Sequence, residues 1–275
     1  MAYKAVLIAL LLFIPPLFGY FATFIALIAV LLAILTVSWH FMEKEAGWAS
    51  LGHSIPFGIS AYIFALNPSL VILSTLCSFL FLALSLTSRA LFPFATFITS
   101  IAFWQISHYL ILDGKGGEEG FSVLVSIPLE IVYAIAALLF MFSLFFVELL
   151  SRSSMGLQIN ATRDDEIASK SIGINPIHLR AFSFAVSTIL AVISGILYAL
   201  TFGHVSPEVF SPFYALFPFI ASTLALNKRW ACIVSSYVIV ALSHAFSAMI
   251  PEVHYVIYAT VLMLFAVVRK NAENL

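Results

Sequence analysis

The sequence predicts an all-α fold: a polytopic α-helical transmembrane bundle of about ten spans, some of them short or interrupted. Three observations carry that expectation. Of 275 residues, 63% are apolar and 9% charged, with a mean hydropathy of +1.10, whereas about a quarter of the residues of a soluble domain are charged. The apolar residues form long continuous runs, not the alternation that barrel strands require. The polar residues gather in short breaks and in one long passage, Ser151 to Arg180, which holds Arg152, Arg163, Asp164, Asp165, Glu166, Lys170 and Arg180.

The spans follow in order. A membrane-crossing helix takes about 20 apolar residues, so Ala5 to Met42 is long enough for two, with the break at Pro15, Pro16 and Gly19. No small-x-small cleavage pattern follows the N-terminal run, which is therefore expected to be a retained first span. Leu51 to Leu66 ends at Asn67-Pro68, Leu70 to Thr87 ends at Arg89, and Ala90 to Leu112 ends in the loop Asp113 to Gly120. The sixth span, Phe121 to Leu150, exceeds the bilayer and must tilt or project. Ala181 to Phe202, Pro212 to Leu226, Trp230 to Ile250 and Val253 to Val268 complete the set.

The positive-inside rule orients the bundle. With the central passage cytoplasmic, Lys4, Lys44, Arg89, Lys228, Arg229, Arg269 and Lys270 fall on the same side, and only Lys115 of the 12 basic residues lies outside. Both termini are then cytoplasmic in a cell (plasma or inner) membrane, and the whole of 1–275 is one transmembrane domain with a cytoplasmic loop at 151–180. The net charge of −1 gives no footprint for nucleic acid, and Cys77 and Cys232 sit in apolar runs as packing residues.

Within the central passage, Thr162 and Asp165 have the spacing of a capping box, and Asp164, Asp165 and Glu166 suit a positive helix end. Gly173 can stop a helix, and Asn175-Pro176 reads as the cap and first residue of the next. The passage is thus either a short surface helix from about Arg163 to Ile172 or an ordinary solvated loop. In a second passage, Ala46 to Tyr62, Ser50, Ser54 and Gly58 recur every fourth residue, while Gly47, Gly52 and Pro56 suggest an interrupted helix. That pattern fits a packing face or a broken helix lining a cavity. Glu130, His108, Gln105 and His244 are the remaining polar residues at expected membrane depth. There is no G-x-x-x-x-G-K-[ST] loop, G-x-S-x-G elbow, dinucleotide fingerprint or HExxH, so the chain is expected to hold no cofactor or metal and to have no catalytic residues.

The two passages together resemble a known family. Ala46-Gly47, Ser50-Leu51-Gly52-His53, Phe57-Gly58 and Ala61-Tyr62 resemble the AGQxSLGHAAFFGIGAY segment of the branched-chain amino-acid ABC transporter permeases. Ala161-Thr162-Arg163-Asp164-Asp165-Glu166-Ile167-Ala168 and Gly173-Ile174-Asn175 resemble their cytoplasmic AxRDNExAAxxxGIN loop. The similarity continues through Ala181-Phe182, Ser194-Gly195, Leu197-Tyr198-Ala199 and Val205-Ser206-Pro207, with Gly116-Gly117 and Gly120-Phe121 between the blocks. The chain departs from the pattern at Lys44-Glu45, at Trp48 and over Ser222 to Trp230.

The resemblance implies a non-enzymatic permease subunit of an ABC importer for a small polar solute, with a branched-chain or other amino acid favoured. It implies two cytoplasmic ATPase subunits that bind ATP and Mg, a second permease (a copy of this chain or a related subunit), and an extracytoplasmic solute-binding protein. Thr162, Arg163, Asp164, Asp165, Glu166, Ala168 and Gly173 would form the ATPase contact. Ser50, Gly52, His53, Ser54 and Gly58, with Glu130, would line the solute path. A proton-coupled secondary transporter using Glu130 and His108 or His244 is the alternative, and an assembly subunit without its own pathway is a third possibility.

Overall fold

The computed structural model describes residues 2–77, 89–112, 115–226 and 228–247, and these form an all-α bundle. Eleven α-helices lie among the described residues: α1 (Ala2–Phe13), α2 (Tyr20–His40), α3 (Ser54–Leu66), α4 (Val71–Cys77), α5 (Phe92–Ser107), α6 (Leu129–Arg152), α7 (Ser154–Asp164), α8 (Glu166–Ser171), α9 (Pro176–Phe202), α10 (Pro212–Leu224) and α11 (Cys232–Ser247). Three helical stretches are long and apolar enough to cross a membrane, Tyr20–Glu45, Leu129–Arg152 and Pro176–Phe202. Five shorter apolar helices accompany them: Val6–Phe18, Ser54–Leu66, Phe92–Ser107, Pro212–Leu224 and Arg229–Ala245. The expected spans from Leu70 to Thr87 and from Trp230 to Ile250 are described only in part, and Val253 to Val268 lies outside the described residues.

The break between the first two helices falls where Pro15 and Pro16 predict it. They open a 3₁₀ turn, Pro15–Phe18, and Gly19 at φ +95° redirects the chain into α2. α2 is apolar all round and is accordingly the centre of the bundle, with every residue from Ala29 to Met42 buried. α6, α9, α10 and α11 pack around it, and α3 packs in turn on α9. Its last turn widens into a single π turn, Phe41–Glu45, from which an irregular linker leads to α3.

α9 presses against α2 and α3. The approach is closest at Gly195, where a Cβ would collide with the carbonyl oxygen of Phe57 and the hydroxyl of Ser60. Gly58, one turn into α3, faces the ring of Phe210 in the 3₁₀ turn Pro207–Phe210, again leaving no room for a side chain. Small residues at these crossings let the helices approach to backbone contact.

Two short antiparallel ribbons close one end. β1 (Ile111–Leu112) pairs with β2 (Lys115–Gly116), and β3 (Phe121–Ser122) pairs with β4 (His204–Val205) in the register Phe121↔Val205. These ribbons correct two expected spans. The fifth ends at Ser107 and not at Leu112, since Ile111 and Leu112 belong to a hairpin. The overlong sixth span is resolved because α6 starts only at Leu129, after Pro128 at ψ 139°. Its first eight expected residues are spent on β3 and an extended approach, so Glu130 stands in the first turn of α6 and is exposed.

Replacing Gly195 with Ala is expected to cost about 1–3 kcal/mol of stability through this overpacking. Unfolding in detergent micelles with increasing SDS checks it; an unchanged midpoint would mean that α3 and α9 separate without cost.

Candidate functional site

The central polar passage forms two helices, not one. Ser153 caps α7 by accepting from the Gly156 N–H at 3.2 Å. Asp165 then interrupts the chain in an extended conformation, φ −150°, and its Oδ1 accepts from the N–H groups of Ile167 and Ala168, both at 2.9 Å, to start α8. The expected capping box at Thr162 is displaced by three residues. Thr162 lies inside α7, and its hydroxyl donates to the Gln158 carbonyl at 2.8 Å, which removes it as a cap. The other two signals act where their residue types predict: Gly173 (φ +85°) follows α8, and Asn175 Oδ1 accepts from the Ile177 N–H at 3.1 Å ahead of Pro176.

This platform is tied to the bundle by arginines. Arg163 pairs with Asp164 at 2.8 Å and donates through Nη1 to the Lys44 carbonyl, while its aliphatic stem lies over Gly47, whose φ of +75° and lack of Cβ leave space for it. Arg89 Nη1 donates to the Arg163 carbonyl at 3.0 Å. Glu166 joins Lys170 at 3.0 Å and Arg180 at 3.4 Å. Arg229 bridges Glu45 at 2.9 Å and Glu148 at 2.8 Å, with Arg152 on the same Glu148. Thus the charges flanking α2, α5, α6, α9 and α11 meet in one layer with α7 and α8. The hydrogen bond from Lys170, aided by the positive charges of Lys170, Arg180 and Arg89, holds the Glu166 carboxyl below its ordinary range despite partial burial.

Asp164, Asp165, Ala168 and Gly173 are exposed on this layer, Arg163 and Glu166 are half-buried, and Thr162 is buried. Between the charges stand Leu157, Ile167 and Ile172, at 64%, 82% and 74% exposure. Nothing in the described chain covers them.

The second passage is buried and forms a polar row beside α2. Ser187 of α9 is its hub: its hydroxyl is hydrogen-bonded to Ser38 Oγ at 3.0 Å and to His53 Nε2 at 3.0 Å, while Ser38 Oγ donates to the Ser187 carbonyl at 2.7 Å. Trp39 Nε1 donates to the Ser50 carbonyl, and Ser50 Oγ accepts from the Gly52 N–H at 3.1 Å. Gly52 fits against the Thr96 backbone, and Ser54 and Ser100 share a 2.6 Å bond. Ser50, Gly52 and His53 are therefore brought together in the non-helical linker, with Ser54 at the first residue of α3, while Gly58 stands one turn further on against Phe210. The serine spacing runs partly outside the helix, because α3 begins at Ser54.

Glu130 does not join them. It borders an apolar groove along α1 and α6 with Ile8, Leu12, Tyr133 and Met141. His108 caps the end of α5 on the Trp104 carbonyl, Gln105 is exposed beside it, and His244 is half-buried on α11. Cys232 is fully buried, as a packing residue should be; the side chain of Cys77 lies outside the described set.

Several partners escaped the sequence reading. Ser183, Ser187 and Ser194 are all buried on α9, and their spacing of four and seven is a helix-face signal as regular as the one noted in α3. Ser194 donates to the Leu31 carbonyl at 2.7 Å. His40 and Ser222, bonded at 2.8 Å, left no such trace because they come from separate helices.

A family profile described as "Branched-chain amino acid transport system / permease component" matches residues 21–267. Over 103 residues, 35% of this chain and 24% of the relative, the chain is 34% identical to the high-affinity branched-chain amino acid transport system permease protein LivM of Salmonella typhimurium. It shows the same identity and coverage to LivM of Escherichia coli. The match thus spans about a quarter of the length of these curated relatives. No solved structure matches the chain.

Because the Glu166 carboxyl is held low, its ion pairs stabilise α8 fully above the unfolded glutamate value of about 4.3 and are lost as pH falls through the lower folded value. Hydrogen exchange of the α8 amides, corrected for intrinsic rate, should show steady protection from about pH 7 to about pH 5 and a fall below about pH 4. Glu166→Gln should lose about two- to fivefold protection at neutral pH and show a smaller acid fall; identical profiles would remove Glu166 from the stability of α8.

Proposed function

The chain belongs to the family of branched-chain amino acid transport permeases, and from that premise we propose that it is the membrane-spanning subunit of an ABC importer driven by separate ATPase subunits. The observation that carries the reading is the α7–α8 layer, two capped helices that lift Leu157, Ile167 and Ile172 out of a charged surface. Apolar side chains on a short rigid helix suit insertion into a groove of a partner. The partner is a pair of cytoplasmic ATPases, which supply the ATP and Mg chemistry, and the layer then faces the cytoplasm with both termini. This side gathers Lys44, Arg89, Arg152, Arg163, Arg180 and Arg229, in agreement with the positive-inside rule. Lys115 stands in the ribbon at the other end, where a solute-binding protein would dock.

The solute is a branched-chain amino acid or one of similar size, and a second permease, a copy or a relative, completes the pathway. Ser50, Gly52, His53, Ser54 and Gly58 line this chain's half of it. Their polar atoms bond to one another and to α2, α5 and α9, which describes a closed path. Closure of the ATPase pair would move α7 and α8, and through Arg163, Lys44 and Gly47 the linker that begins the row. Hydroxyls released from Ser187 and Ser100 could then bond a passing ammonium or carboxylate. Glu130, at the far end of α6, takes no part. The proton-coupled alternative would use Glu130 with His108 or His244; Glu130 stands in the first turn of α6, His108 at the end of α5 and His244 on α11, on three separate helices.

Copurification with the ATPase subunits tests the docking surface. The Ile167→Glu, Ile172→Glu double variant is expected to lower retained ATPase and ATP-dependent leucine uptake by about tenfold or more, while leaving the chain folded in the membrane. Full association and uptake in that variant would refute the assigned role.

A further inference from the structure

Trp48 occupies the linker between α2 and α3, and its indole is 4% exposed. The guanidinium carbon of Arg180 stands 4.4 Å from the ring centroid and that of Arg89 at 5.4 Å. Phe92 and Phe184 meet the ring in T-shaped contacts, with centroids at 5.2 and 5.9 Å, and meet each other at 5.4 Å. The indole is thus gripped between two cations and two aromatic side chains, drawn from the start of α5 and the first turns of α9.

Both arginines also hold the cytoplasmic layer. Arg180 reaches Glu166 of α8 at 3.4 Å, and Arg89 donates to the Arg163 carbonyl at the end of α7. On its other side, Trp48 is bound to the end of α2 by its own N–H, which donates to the Met42 carbonyl at 3.0 Å. Two residues further on, Ser50 accepts from Trp39, and His53 bonds Ser187. A guanidinium over an indole face is attracted by the ring quadrupole, more strongly where water is excluded. Its planar stacking also depends on shape, which an ammonium cannot reproduce.

We propose that Trp48 is a positioning residue: through Arg180 and Arg89 it transmits movement of the α7–α8 layer to the linker that carries Ser50 and His53. Arg163 fastens the layer to the start of that linker, and Trp48 gives it a second grip, nearer the polar row. With both grips the linker must turn as a unit. With Arg163 alone it could move at Lys44 while the row stays closed. The proposal rests on the reading of α7–α8 as the ATPase-docking surface.

The test uses proteoliposomes containing the full chain with its ATPase, permease and binding-protein subunits, with radiolabelled leucine as probe. Trp48→Leu should keep ATPase association and ATP hydrolysis within about twofold of wild type while leucine moved per ATP falls about tenfold, the scale of two screened cation–π contacts. Trp48→Phe, which keeps an aromatic face, should recover most of that ratio. Arg180→Lys, which keeps the charge near Glu166 but loses the planar stack, should fall between them, and it also reports if Trp48→Leu fails to fold. An unchanged ratio in Trp48→Leu and Arg180→Lys, or equal loss in Trp48→Phe and Trp48→Leu, would overturn the proposal and leave Trp48 as a space-filling residue. Absence of ATPase association and ATP-dependent uptake in the wild type would instead overturn the docking reading, and the Trp48 role with it.

Discussion

A helix buried on every side can carry hydroxyl and imidazole groups only if its neighbours supply their hydrogen-bond partners. The bundle is organised around how α2 meets that condition. Thr36 turns its hydroxyl back to the Leu32 carbonyl of its own helix. Ser38, Trp39 and His40 instead find partners in Ser187 of α9, the Ser50 carbonyl and Ser222 of α10. α9 in turn reaches the Leu31 carbonyl through Ser194 and pays no steric penalty for its approach to α3, because Gly195 has no side chain. Each bond fixes a neighbour's rotation as well as its distance. Apolar contact against α2 alone, without directional bonds, would let these helices slide, since in lipid the hydrophobic effect does little to choose between one helix face and another.

Much of this arrangement was legible in the sequence. Pro15, Pro16 and Gly19 divide the first apolar run where they stand, Asn67 and Asn175 act as the caps their side chains favour, and Gly173 takes the positive φ that stops a helix. Charge counting gathered the basic residues on one side, and most of them do meet in one layer. What could not be read depended on tertiary choice. Thr162 and Asp165 are both good caps, and which one is used depends on whether the threonine hydroxyl is already taken by its own helix. Residues 121–128 continue the apolar run, yet Phe121 and Ser122 pair with Val205 and His204 and the rest approach α6 as extended chain. An apolar run does not by itself fix the backbone conformation, and strand pairing at the end of the bundle competes with continuation of a helix. The four-residue spacing of Ser50, Ser54 and Gly58 was legible as a pattern and His53 through the family resemblance, but the partners at Ser187 and Ser100 were not, because one chain records no contacts between distant helices.

The buried row and the exposed layer suggest a division of work within one domain. The layer is rich in ion pairs at the membrane surface, each of which is individually weak, so it can yield and re-form when a partner pushes on it. The row is built from hydrogen bonds between buried side chains, where a lost partner costs about 1–3 kcal/mol. On the proposed function, a path lined this way would stay shut until its donors were offered something in exchange. A small zwitterion, the solute class proposed above, would suit that task, since its ammonium and carboxylate would replace the bonds that serine and histidine give up.

The central claim is that force enters this chain through the exposed face of α8. Its most direct measurement is disulfide cross-linking in membranes between Ile167→Cys and a cysteine introduced in the ATPase groove, with and without a non-hydrolysable ATP analogue. The account predicts a rapid cross-link whose yield changes with the nucleotide, and none from a cysteine at exposed Leu124, on the ribbon end of the bundle. Failure of Ile167→Cys to cross-link in a complex that still transports leucine would contradict it.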